Sequence, residues 1–173
     1  MRFGLAFANT GPFAGPDGAT RFALAAEAAG FESLWTVEHV VVPKGYESTY
    51  PYDPSGRTPG GEESPIPDPL VWLSLVAAAT SRIRLATGIL ILPQRNPVVL
   101  AKELATLDVM SGGRLELGIG VGWLEEEFDA IGVPFSGRGE STVVNGAAMR
   151  ALWSDRPASS NGSHADFDER ILL

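Results

Sequence analysis

The sequence predicts an α/β fold built on a parallel sheet, and two observations carry that prediction. Short apolar strand-like segments alternate with helix-like segments along residues 2–153. With residues 40–68 set aside as an insertion, the repeats recur at the roughly thirty-residue spacing of βαβ units. Right-handed crossovers place the strands of such units in one sheet. Either a doubly wound open sheet or the first half of an eightfold barrel satisfies this pattern.

The first unit is predicted from apolar alternation and from helix-forming composition. Arg2–Ala8 alternates larger apolar residues with smaller ones, which is typical of a strand. The alanine-rich segment Ala19–Ala29 follows as a helix. Ser33–Val37 then has the composition of a short buried strand, and it runs directly into Glu38 and His39.

Residues 40–68 are predicted to form a long loop, because they contain six prolines and four glycines. A loop of this length in a compact domain is a lid or binding loop, or else disordered. Its side chains include Tyr46, Tyr50, Tyr52 and Arg57, which could reach a substrate.

The later units begin at two helix-start signals, Asp68–Pro69 and Asn96–Pro97. In each, a capping side chain precedes a proline at the first helical position. Strands are predicted at Ile83–Leu90 and Arg114–Ile119, and a further helix across Ser141–Trp153. Residues 154–173 show no pattern, so an irregular tail is expected to end a single domain over residues 1–173.

Composition and charge narrow the classes of partner. Thirteen basic and twenty-one acidic residues give a net charge of −8, which argues against a nucleic-acid or anionic-membrane partner. The absence of cysteine excludes disulfides and thiolate metal sites, and only His39 and His164 could supply imidazole ligands, so no metal site is expected. The longest uncharged run, Pro69–Ser81, is too short to span a bilayer. We therefore expect a cytoplasmic protein.

Three glycines at alternate positions, Gly118, Gly120 and Gly122, follow the fourth predicted strand. Trp123 stands where the dinucleotide-binding fingerprint requires its third glycine. The Lys–Ser/Thr ending of the Walker pattern is absent as well. The glycines therefore need an explanation other than phosphate binding.

Three stretches resemble the bacterial luciferase-like monooxygenase superfamily, and most of all its coenzyme F-420-dependent (deazaflavin) oxidoreductase branch. They are AAEAAGFESLWTVEHV at residues 25–40, RIRLATGILILPQRNPVVLAKELATLDVMSGGRLELGIGVGWLEEEF at residues 82–128, and GVPFSGRG at residues 132–139. The fold of that family is a TIM (β/α)8 barrel of roughly 250 residues. The resemblance therefore implies a partial barrel of about four βα units.

The resemblance implies that coenzyme F-420, or alternatively FMN, binds against the carboxyl ends of the strands beside a small-molecule substrate. Glu38 would contact the ring system of the cofactor, and His39 would lie at the substrate face. An imidazole can donate a proton or a hydrogen bond as hydride is transferred. The alternative is a strand-end histidine whose ring is satisfied by loop carbonyls.

Thr87, Gly88 and Ile89 match the end of the family's third strand. That position commonly carries a bulge with a non-proline cis peptide, which would be Gly88–Ile89 here, and which backs the cofactor ring. The alternative is an ordinary glycine that relieves crowding at a sheet end.

The glycines after strand four would allow the backbone to pass close to the ring, and Gly120 and Gly122 are thus predicted cofactor contacts. Trp123 stands where some family members place an acidic catalytic residue, so it would shape or stack in the substrate cavity. Residues 125–127 are three glutamates, interpreted as a solvated first helical turn favoured by the helix dipole.

Three functions remain open at this point. The first is hydride transfer between reduced deazaflavin and a small organic substrate, with flavin monooxygenation as a variant. The second is a truncated, inactive half-barrel that binds cofactor weakly or not at all. The third is a different enzyme that uses Glu38 and His39 as acid and base for hydrolysis or isomerisation. Members of the family also dimerise through their second and third helices, so a homo-oligomer, most simply a dimer, is expected.

Overall fold

The computed structural model describes residues 1–154, 157–162 and 165–170. His164 lies outside the described residues. The strands are β1 Gly4–Leu5, β2 Ser33–Thr36, β3 Arg84–Ile91, β4 Leu115–Gly120, β5 Ala158–Asn161 and β6 Asp166–Arg170. The α-helices are α1 Pro16–Ala28, α2 Pro69–Ala79, α3 Pro97–Ser111, α4 Glu125–Ala130 and α5 Arg138–Ser154. Four strand–helix units therefore follow one another before a C-terminal hairpin.

Strands β1 to β4 form a sheet in the order β1-β2-β3-β4. β1 is parallel to β2, and β2 is parallel to β3, with Leu34 opposite Leu85. Along β3 and β4, Leu85 N–H donates to the Arg114 carbonyl at 3.0 Å, and the Thr87 hydroxyl donates to the Gly118 carbonyl at 2.8 Å, so these strands also run in the same direction. The predicted parallel α/β fold is confirmed. Sequential strand order, with no reversal, is the order of a barrel rather than of a doubly wound sheet.

The chain, predicted as one domain, divides into two compact units. The first contains Met1–Val40, Gly60–Leu90 and Thr106–Ile119, and the second contains Val41–Pro59, Ile91–Ala105 and Gly120–Leu173. The first unit holds most of the sheet with α1 and α2. The second holds α4, α5, the hairpin and much of the long loop, which has no helix or strand anywhere in residues 40–68, as predicted.

The helix starts form as the sequence predicts. Asp68 Oδ1 accepts hydrogen bonds from Leu70 N–H at 2.9 Å and Val71 N–H at 3.0 Å. Asn96 Oδ1 does the same for the first turn of α3, accepting from the N–H groups of residues 98 and 99 at 3.0 and 3.2 Å. These side chains satisfy donors that a helix leaves unpaired at its start.

A buried arginine fastens the amino ends of the strands in the first unit. Arg114 is 9% exposed and precedes β4. Its guanidinium donates five hydrogen bonds, to the carbonyls of Ser111, Ala77, Thr80 and Ile83 and to the Thr80 hydroxyl. Three of these acceptors, the carbonyls of Ala77 and Thr80 and the Thr80 hydroxyl, are at the carboxyl end of α2, where a cation is also favoured by the helix dipole.

Strand β1 is much shorter than the predicted Arg2–Ala8, since only Gly4–Leu5 is regular strand. The reason is Phe7, whose φ of +57° takes the chain out of extended geometry. Ala8 N–H nevertheless returns to the neighbouring strand and donates to the Trp35 carbonyl at 2.9 Å.

The prediction of an irregular tail over residues 154–173 is wrong for the part that the structure describes. β5 and β6 pair there as an antiparallel hairpin, and Ser159 Oγ donates across it to Asp168 Oδ1 at 2.7 Å. A Cβ added at Gly162 would lie 2.5 Å from Val144 Cγ1, so the chain packs closely against α5 at Gly162. The strands are polar, and therefore lack the apolar alternation that reveals a strand in sequence.

Among the described residues, no helix combines the length and the apolar character needed to cross a membrane.

Candidate functional site

Glu38 and His39 lie at the carboxyl edge of the sheet in the first unit, where the sequence places them. Glu38 is two residues, and His39 three residues, beyond the end of β2. Glu38 is only 6% exposed, whereas His39 is half-buried. A carboxylate and an imidazole on consecutive residues at this edge can orient a ligand and exchange a proton with it.

Asn9 is a buried polar residue at the same edge that the sequence does not single out. Its side chain is fully buried. Its amide nitrogen donates to the carbonyls of Val37 at 2.8 Å and Pro67 at 3.0 Å, and its amide oxygen accepts from Val37 N–H at 2.9 Å. The only sequence signal for it is a polar residue directly after the first strand.

The end of β3 has the backbone that the resemblance implies, since the peptide bond between Gly88 and Ile89 is cis. A Cβ added at Gly88 would lie 3.1 Å from Trp35 Cε3, so crowding also favours glycine there. Ile89 is 37% exposed and presents apolar surface at this edge.

Thr87, one of the predicted cofactor contacts, is fully buried and is bonded to the neighbouring strand. Its contact with a cofactor stays a prediction. Its hydroxyl donates to the Gly118 carbonyl at 2.8 Å and accepts from Gly118 N–H at 3.0 Å. A Cβ at Gly118 would lie 2.2 Å from the Thr87 carbonyl oxygen. Close strand packing therefore explains the first of the three alternate glycines.

At position 122, in the second unit, the fold itself also requires a glycine. Its φ is +77°, a conformation that favours glycine. A Cβ there would meet Phe128 Cε2 at 2.7 Å and Ile91 Cγ2 at 2.9 Å. Contact of Gly120 or Gly122 with a cofactor stays a prediction.

Trp123 belongs to an aromatic cluster in the second unit. Its ring meets Tyr46 edge-on at 5.4 Å and Tyr50 at 5.2 Å between centroids. Tyr46 is buried, and the Arg57 guanidinium stands 4.5 Å over its ring. Loop tyrosines are thereby held against the residue predicted to shape the substrate cavity.

The interpretation of residues 125–127 as a solvated turn is wrong for two of the three glutamates. Glu127 is fully buried, and its Oε1 accepts from Val41 N–H at 3.4 Å. Glu126 accepts from Glu47 N–H at 2.6 Å, Ser48 N–H at 3.0 Å and Ser48 Oγ at 2.7 Å. The Ser48 hydroxyl, with these backbone donors, lowers the pKa of Glu126 to about 2. The turn anchors the loop because its carboxylates face loop N–H groups.

The residues at the sheet edge fit the ring of a flavin-type cofactor. A flat heteroaromatic ring needs hydrogen-bonding groups at its polar edge and apolar surface against its face. In the first unit, Glu38 and His39 offer the polar groups, and exposed Ile89 offers apolar surface.

A family model described as luciferase-like monooxygenase matches residues 1–172. The chain therefore belongs to the luciferase-like monooxygenase family, which confirms the resemblance read from the sequence.

Three similar proteins extend this finding. An uncharacterised protein of Mycobacterium tuberculosis is 34% identical over 167 residues, which are 96% of this chain and 58% of that protein. The F-420-dependent glucose-6-phosphate dehydrogenase of Kineococcus radiotolerans is 34% identical over 155 residues, or 87% of this chain and 41% of that enzyme. The crystal structure of monooxygenase RslO1 from Streptomyces bottropensis superposes with a TM-score of 0.77 at 31% identity, covering 100% of this chain and 49% of that one.

The chain thus spans between 41% and 58% of the length of these relatives. Its four parallel strands correspond to part of the luciferase-like barrel, and the predicted fold class, a partial (β/α)8 barrel, is confirmed.

Proposed function

We propose that this chain carries part of the active site of an oxidoreductase that transfers hydride between coenzyme F-420 and a small organic substrate. The observation that carries the proposal is buried Glu38 directly before half-buried His39 at the carboxyl edge of a parallel sheet. Ligands of such folds bind at this edge. The F-420-dependent relative at 34% identity supports the choice of cofactor.

Each residue has a distinct task in this proposal. The bound deazaflavin ring supplies the hydride chemistry. Glu38 holds the polar edge of the ring by hydrogen bonding, and Ile89 lies against its face. His39 donates a proton or a hydrogen bond to the substrate oxygen, a task that an imidazole can perform.

FMN-dependent monooxygenation is the second candidate. The 31% identical structure is a monooxygenase, which favours this reaction class. The same edge residues would then hold an isoalloxazine ring in place of the deazaflavin ring.

Replacement of His39 by alanine tests the proposed role of the imidazole. Hydride transfer from reduced F-420 to a panel of small carbonyl compounds should fall by ~10²–10⁴-fold, as for a lost acid–base group. Cofactor affinity should change much less. His164→Ala is the matched control, because it removes the chain's other histidine. Unaltered turnover in His39→Ala would reduce His39 to a structural residue.

A further inference from the structure

Asn9 replaces a missing piece of the hydrogen-bond ladder between β1 and β2. The last backbone bond between these chain segments runs from Ala8 N–H to the Trp35 carbonyl at 2.9 Å. One residue later, the Asn9 amide accepts from Val37 N–H at 2.9 Å and donates to the Val37 carbonyl at 2.8 Å. The Asn9 side chain therefore satisfies both backbone groups of Val37, which a neighbouring strand would otherwise do.

A third bond from the same amide holds a remote part of the chain. The Asn9 nitrogen also donates to the Pro67 carbonyl at 3.0 Å, immediately before Asp68 caps α2. A primary amide offers two donors and an acceptor on one short side chain, which matches all three partners. A carboxylate would turn an oxygen towards two carbonyl oxygens, and an apolar side chain would leave three backbone groups unpaired.

We propose that Asn9 is the positioning residue for Glu38 and His39, an inference that rests on the proposed function of that pair. The Val37 carbonyl belongs to the peptide group that enters Glu38, so holding this carbonyl fixes where Glu38 and then His39 leave the sheet. Asn9 is fully buried and touches neither cofactor nor substrate in this role. A displacement of ~1 Å at reacting groups costs ~10²-fold in rate. The hydrogen bonds of Asn9 therefore affect the rate through the placement of Glu38 and His39.

The test replaces Asn9 in the full chain with alanine, which removes the amide, and with leucine, which removes it at nearly constant volume. Glu27→Gln is the matched control. The Glu27 side chain also binds backbone groups, because it accepts hydrogen bonds from the N–H groups of residues 81, 82 and 83. These groups lie just before the amino end of β3. Comparison is made at a temperature where circular dichroism shows each variant folded.

The readouts are the His39 ring signals in NMR without cofactor, and hydride transfer from reduced F-420. The chain has only two histidines, so His39→Gln assigns the signals. Both Asn9 variants should shift the His39 ring signals, change their pH titration, and reduce hydride transfer by ~10²-fold. Glu27→Gln should lower the melting temperature and leave the His39 signals and the pH titration as in the wild type.

Unshifted His39 signals in a folded Asn9 variant would overturn the proposal. Failure of both Asn9 variants to fold would also overturn it, because Asn9 would then be required for folding and not specifically for positioning Glu38 and His39. If the wild type transfers no hydride, the proposed function fails, while the NMR comparison still decides the role of Asn9.

Discussion

At the scale of single residues, two arginines of the first unit contribute unequally to the free energy of unfolding. Arg114 is buried and donates five hydrogen bonds to backbone and hydroxyl acceptors. Arg84 forms an ion pair with Glu116, but the Arg84 side chain is 39% exposed and the Glu116 side chain is 34% exposed. Exposed pairs of this kind contribute little, whereas buried charged donors contribute much.

Arg114→Lys should therefore lower the free energy of unfolding by about 3 kcal/mol, because a lysine offers only three donors and leaves buried carbonyls unpaired. Arg84→Lys, the matched control, should change it by less than ~1 kcal/mol. Urea denaturation measures both through the transition midpoint at constant slope. Equal midpoints for the two variants would show that the buried hydrogen bonds of Arg114 have no special importance.

At the scale of elements, the carboxylate of Glu126 ties the long loop to the start of α4. Its pKa is lowered from 4.5 to about 2 by the Ser48 hydroxyl and backbone donors. Because the folded pKa is depressed, the stabilisation is fully present above pH 4.5 and is lost as the pH falls through about 2.

Glu126→Gln should accordingly be less stable than the wild type at neutral pH, and the difference should vanish as the pH approaches 2. Limited proteolysis within residues 41–59 should also be faster in the variant at neutral pH, since loop anchoring weakens. Glu125→Gln is the control, because Glu125 is exposed. A stability difference that stays constant across the acid range would mean that the carboxylate charge does not anchor the loop.

Elements whose signals are local could be predicted from the sequence. Asp68 and Asn96 cap the helices that begin one residue later, and these caps act within three residues of themselves. The resemblance supplied what local signals cannot, including the cis bond at Gly88–Ile89.

Features that depend on remote partners could not be predicted in this way. Asn9 binds carbonyls 28 and 58 residues away, and Glu126 binds N–H groups 78 and 79 residues away. Nothing near either residue in sequence distinguishes it from an exposed polar residue. The same limit applies to Gly118, whose neighbour is the Thr87 carbonyl on the adjacent strand.

At the scale of the whole molecule, the sheet of the described residues ends in β1 on one side and β4 on the other. Edge strands present backbone groups that can pair with another chain. Near β1, Phe3 is 61% exposed and Phe7 is 54% exposed. Helices α2 and α3 also carry exposed apolar side chains, among them Val71, Val99, Val109 and Met110.

We therefore predict that the chain self-associates, most simply as a dimer. Sedimentation velocity or light scattering should show a mass above that of one chain, with the monomer fraction rising on dilution. Phe3→Ser together with Phe7→Ser should shift the equilibrium towards monomer, whereas Leu24→Ser, an exposed leucine on α1, should not. A monodisperse wild-type monomer at all concentrations would contradict this prediction.

Direct titration of the chain with oxidised coenzyme F-420 and, separately, with FMN tests the central assignment of a flavin-type cofactor site. Cofactor fluorescence and visible absorbance report binding. We expect saturable binding of F-420, weaker binding of FMN, weakened binding of F-420 in Glu38→Gln, and nearly unchanged affinity in His39→Ala. Absence of saturable binding of either cofactor, or full affinity in Glu38→Gln, would contradict the assignment of the sheet edge as the cofactor site.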